Sequence, residues 1–130
     1  MRRLSALVLS AVTSTACAAL GAPATPTLDR DPHSFAEPNR VRVTHVALEL
    51  TLDFAQKSAH GTAELALARL DPGAPLTLDT HALSIEDVTG ANETPRSWSL
   101  GREVERLGKP LVIQLAPGDE TVRIRYRTQP

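Results

Sequence analysis

The sequence predicts an all-β domain, an antiparallel β-sandwich, on three observations. Apolar residues recur with a period of two, turn chemistry separates these runs, and no stretch carries helical periodicity. From Val46 to Phe54 the even positions Val46, Leu48, Leu50, Leu52 and Phe54 are apolar, while Glu49, Thr51 and Asp53 are polar. This pattern predicts a half-buried strand. After the polar break Gln56-Lys57-Ser58, a second run sets Ala59, Gly61, Ala63, Leu65 and Leu67 against His60, Thr62 and Glu64. The two runs predict a hairpin, and matching their inward faces pairs Phe54 with Ala59, Glu49 with Glu64 and His60 with Asp53. Shorter strands are expected at Leu76 to Asp79, Leu83 to Val88, around Trp98 and at Leu111 to Leu115. They are bounded by Asp71-Pro72-Gly73, Thr89-Gly90-Ala91-Asn92 and Pro117-Gly118-Asp119, where Pro presets one dihedral and Gly or Asn accepts the left-handed one. In the last strand Val122, Ile124 and Tyr126 alternate with Arg123, Arg125 and Arg127, giving one apolar and one basic face.

The start of the chain has a different character. Arg2 and Arg3, the apolar stretch Leu4 to Val12 and the small residues Thr13 to Ala22 read as an export signal, residues 1–22. The apolar run is far shorter than the roughly 20 residues of a spanning helix. Residues 23–39 form an extended, Pro-rich linker, and residues 40–130 the β domain, expected to be incomplete. The only cysteine, Cys17, excludes an intrachain disulfide. Ser14-Thr15-Ala16-Cys17 resembles a lipoprotein box, with Ser14 where a large aliphatic residue is usual, making Cys17 a candidate lipidation site, while Ala16-Cys17-Ala18 equally satisfies ordinary signal cleavage. The expected location is periplasmic or extracellular, with membrane attachment only through a lipidated Cys17.

Composition narrows the function classes. Fourteen Lys and Arg face fifteen Asp and Glu, and aromatics are 3% of the chain, so neither a basic stripe nor a stacking platform for nucleic acid is present. His33, His45, His60 and His81 show no ligand spacing, so no metal site is expected. Glu49 and Glu64, predicted to face each other, read as surface charge needing a cation nearby, and Arg123, Arg125 or Arg127 is expected to supply it. Asp29, Asp31, His33 and Ser34 contain the residue types of a proton relay, but neighbours on an extended segment point apart, so the cluster reads as a turn. Trp98 is expected in the core or as a plug between the sheets, not as a ligand platform. No catalytic, cofactor-binding or metal residue is assigned.

Five segments carry a family resemblance: Asp31-Pro32-His33-Ser34-Phe35-Ala36, the strand Val43 to Phe54, Gly61-Thr62-Ala63, Leu78-Asp79-Thr80 with Leu83 to Val88, and Val122 to Thr128. In this order and spacing they resemble the opening sheet domain of gluzincin zinc aminopeptidases, the aminopeptidase N and leukotriene A(4) hydrolase-like family. The resemblance implies a curved, saddle-like domain packed on a helical catalytic domain. It also implies a parent enzyme that removes N-terminal residues from peptides, using zinc held by an HExxH helix and a downstream Glu. No HExxH or Gly-x-Met-Glu-Asn motif occurs in these 130 residues, so the chain is expected to be truncated before the catalytic domain and not to be an enzyme alone. A truncated sandwich should expose strand edges and an apolar face. The alternative is a stand-alone exported β-sandwich that binds a partner through an edge or its arginine face.

Overall fold

The computed structural model describes residues 31–128. The signal segment, Cys17, the start of the linker, and Asp29 and Arg30 of the polar cluster lie outside the described residues.

Alternating sequence becomes strand as expected. The elements are β1 (Val41–Asp53), β2 (Ser58–Arg69), β3 (Leu76–Thr80), β4 (Leu83–Thr89), β5 (Trp98–Leu100), β6 (Lys109–Ile113) and β7 (Thr121–Thr128), with one 3-10 turn at Ala91–Glu93. They form two antiparallel sheets, a four-stranded one in the order β1-β2-β7-β4 and a three-stranded one in the order β3-β6-β5. The fold is all-β and sandwich-like. The last strand therefore lies inside the larger sheet, and β1 lies at its edge.

One core joins the two sheets. Leu65, Leu67, Val88, Val122 and Ile124 of the larger sheet pack with Val41 and with Leu76, Leu111 and Ile113 of the smaller one. Leu65, Leu67, Val122 and Ile124 sit on the faces that the period-two pattern assigned to the interior.

The β1 pattern is realised in direction but not in burial. Leu48 pairs with Ala63 across β2, and Ala63 with the buried Ile124 of β7, so the even face of β1 is continuous with the core face. Yet Leu48 is 59% exposed, Leu52 58% and Phe54 84%. The smaller sheet covers the end of the larger one where β2 finishes and β7 starts, and leaves the β1 stripe bare. The expected half-buried strand is thus an apolar face without cover. Trp98 is a second correction: it lies on β5, the edge of the smaller sheet, and is 36% exposed instead of plugging the sheets.

The turns follow their chemistry. Asp71 Oδ1 accepts from the Gly73 N–H at 3.0 Å. Gly118 takes φ +85 behind Pro117, and the Asp119 N–H closes that turn on the Ala116 carbonyl at 3.2 Å.

The described part of the linker is anchored. Asp31 Oδ1 accepts from the His33 N–H at 2.8 Å, and Ser34 Oγ accepts from the Ala36 N–H at 3.0 Å. These are the expected local turns. Asp79 on β3 then receives the Ser34 hydroxyl at 2.6 Å and the Phe35 N–H at 2.7 Å. Two of the segments that carried the resemblance, around Ser34 and Asp79, are therefore joined by direct hydrogen bonds.

Candidate binding face

The outer face of the larger sheet is charged because of strand order. Placing β7 between β2 and β4 sets its arginines between Glu64 of β2 and the acidic pair Glu86 and Asp87 of β4. Glu64 pairs in register with Arg123, and Arg123 Nη2 donates to Glu64 Oε2 at 2.8 Å while Nη1 reaches Glu93 Oε1 at 3.1 Å. Arg125 lies 3.5 Å from Asp87, and Arg127 3.6 Å from Glu86. A register irregularity between Ile85 and Asp87 inserts Glu86 into β4, which provides the extra carboxylate for Arg127. Glu64, then Glu93, raise the affinity of Arg123 for its proton.

The expectation that a β7 arginine lies beside Glu64 is met by Arg123. The expected Glu49–Glu64 pair is not. β1 and β2 pair with Glu49 opposite Thr62, Glu64 opposite Ala47 and His60 opposite Thr51. Phe54 does not face Ala59, which pairs with Leu52 instead. The hairpin closes on Asp53 and Ser58, with Asp53 Oδ1 accepting from the Gln56 N–H at 2.9 Å. The loop spans residues 54–57 instead of the 55–58 enclosed by a Phe54–Ala59 pair, and the register slips by two. The slip preserves which face each residue occupies and removes the like-charge contact.

These charges line an open groove of about 640 Å³, bordered by Glu49, Thr62, Glu64, Asp87, Glu93 and Arg125 among others. Its ion pairs are half exposed, and such pairs contribute little to stability. Arg123→Ala should leave the thermal midpoint almost unchanged, with any difference shrinking in high salt. A large loss of stability in a thermal melt would contradict this.

The most buried charge lies elsewhere. Asp119, fully buried, accepts from Arg96 Nε at 2.6 Å and from Arg96 Nη2 at 2.8 Å. It also accepts from the Ala91 N–H at 3.0 Å and the Ala116 N–H at 2.7 Å. The Arg96 hydrogen bonds, against the opposing effect of burial and helped by the two backbone donors, hold this carboxyl well below the usual carboxylate range. Gly90 is required beside it, because a Cβ there would sit 2.5 Å from Asp119 Oδ1. Sequence reasoning had Pro117-Gly118-Asp119 as turn punctuation and missed the pair. Nothing local links residue 96 to residue 119. Asp119 has no open path to a ligand, and its role is to join the β4–β5 connection to the β6–β7 turn.

The structure places no nucleophile against a base at the expected polar cluster. The Ser34 hydroxyl donates to Asp79 and not to His33, and the His33 backbone N–H donates to Asp31. Among the described residues no group of three or more His, Cys, Asp and Glu could hold a metal ion.

The fold defines a class: an all-β, two-sheet domain with a charged outer groove and a partly bare inner face. Comparison with known proteins adds the family. Leucine aminopeptidase 2 of Candida albicans is 31% identical over 94 residues, 72% of this chain. The leukotriene A-4 hydrolase of Xenopus laevis is 35% identical over 86 residues, 65% of this chain. The solved leukotriene A4 hydrolase of Saccharomyces cerevisiae superposes with a TM-score of 0.70 at 25% identity, covering 78% of this chain and 17% of that one. No family model matches the chain. By sequence and fold the chain corresponds to the N-terminal domain of the leukotriene A-4 hydrolase and leucine aminopeptidase family. It spans only 14–15% of the length of those two curated relatives.

Proposed function

We propose that the chain is the non-catalytic N-terminal β portion of an exported zinc aminopeptidase whose catalytic domain removes N-terminal residues from peptides. The observation that carries the reading is the bare inner face of β1 in a domain matching so small a share of its relatives. A face running from Val46 to Phe54 is the surface that a larger enzyme would cover. Export is read from Arg2, Arg3 and the apolar run after them, and a lipidated Cys17 would tether the protein to a membrane. Zinc belongs to the catalytic domain on this reading, which is this chain's partner.

The open outer groove favours a second reading, a stand-alone exported binding module. The coding sequence beyond Pro130 separates the two. The first expects, in some frame, an HExxH followed about 18 residues later by Glu. That downstream product, purified with this chain, should bind it and hydrolyse an aminoacyl reporter substrate better than it does alone. A stop followed by an unrelated gene, or a downstream product indifferent to the chain, would overturn the first reading.

A further inference from the structure

We propose that β1 pairs antiparallel with β1 of a second copy of this chain, about a two-fold axis through Leu48, extending the larger sheet across the dimer. Among the described residues no strand occupies the outer edge of β1, which runs over thirteen residues. Edges of this length are ordinarily blunted by proline, lysine or a bulge. From His45 to Asp53 there is no proline or lysine, and the register irregularity of β1 lies before this stretch, between Val43 and His45.

Side-chain periodicity and charge select the pairing. Only registers that match even residues with even residues keep both apolar faces on one side. The centred choice for the regular stretch sets Glu49 against its own copy, and directly opposed like charges destabilise. Moving the axis to Leu48 removes that contact. Leu48 then faces Leu48 of the second copy, and Val46 faces Leu50. On the other face Ala47 lies opposite Glu49, and His45 lies opposite Thr51 with Glu49 and Asp53 as diagonal neighbours. No like charges lie directly opposite: Glu49 and its copy are left only as diagonal neighbours, each also beside the other copy's His45, which in turn gains two acidic neighbours. Val46, Leu48 and Leu50, bare in one copy, each gain an apolar neighbour, while Leu52 and Phe54 lie beyond the pairing.

This pairing buries less than the roughly 1,200 Å² of a standard stable interface, so the dimer depends on concentration. It stands on β1 alone and is independent of whether a catalytic portion binds the chain. Sedimentation of the purified chain over rising concentration should show a monomer–dimer equilibrium. Leu48→Lys should raise the dissociation constant at least about tenfold, because two lysines would face each other across the axis. Leu52→Lys, which removes similar apolar surface outside the paired stretch, should leave it within about threefold. In a Cys17→Ser background, Leu48→Cys should oxidise to a disulfide-linked dimer much faster than Leu52→Cys. A monomer at every concentration would overturn the inference. So would equal weakening by both lysine variants or equal cross-linking at both positions, since these mark faces stacked on one another.

Discussion

Asp119→Ala should cost about 3 kcal/mol or more of unfolding free energy, measured by urea titration against the unaltered chain. The magnitude follows from removing one partner of a buried charge pair, which leaves Arg96 and the N–H groups of Ala91 and Ala116 without their acceptor. A domain of this size has only about 5–15 kcal/mol in total, so such a loss is a large part of it. The loss has a pH signature. The folded carboxyl titrates below its ordinary value of 3.8, so the unfolded chain binds the extra proton in between. The stabilisation is full above about pH 5 and fades as pH falls through the ordinary value toward the folded one. Asp119→Asn should therefore flatten the acid limb of the stability profile. A profile as steep as that of the unaltered chain would show that other carboxylates dominate acid unfolding.

Gly108→Ala should be nearly as damaging, lowering stability by about 2–3 kcal/mol. Gly108 takes φ +79 at the entry to β6, where a Cβ carries steric strain. The added carbon would also be driven into the carbonyl oxygen of Thr80 at the end of β3. Backbone cannot yield there as a flexible side chain would. β6 must lift from β3, and Leu111 and Ile113 are drawn out of the core. Gly118→Ala is the control, because Gly118 has a similar φ of +85 but nothing within 4 Å of a Cβ. If both variants melt together, dihedral strain alone is responsible and the contact with Thr80 is irrelevant.

Strands were legible wherever burial imposes a period of two, as in β2 and β7. Direction along β1 was legible too, because alternation fixes which residues share a face whatever covers them. Cover itself is a property of the neighbouring sheet, and Leu48 carries no sign of whether one arrives. The β1–β2 register was missed because the position of the turn decides it, and the turn begins at Phe54, before the polar break that marks it in the sequence. A shift of an even number is invisible to face matching, which is why Glu49 met Thr62 and not Glu64. The Arg96–Asp119 pair was illegible for another reason: it joins two loops across 23 residues, and no periodicity links them. Arg123 was foreseeable because an arginine row on one strand calls for carboxylates on the next.

The place of β7 in the middle of the larger sheet has a consequence for how the chain assembles. Glu64 and Arg123, neighbours across β2 and β7, are 59 residues apart in sequence. During synthesis the β1–β2 hairpin can form early, but its inner partner is the last of the seven described strands to appear. β4 must wait for the same strand, since it pairs with no other in that sheet. Closure is therefore a late, long-range event, and topologies of this kind fold slowly. Until β7 has emerged the four-stranded sheet cannot close, whereas the β3-β6-β5 sheet needs no part of it, so the two layers are completed at different times.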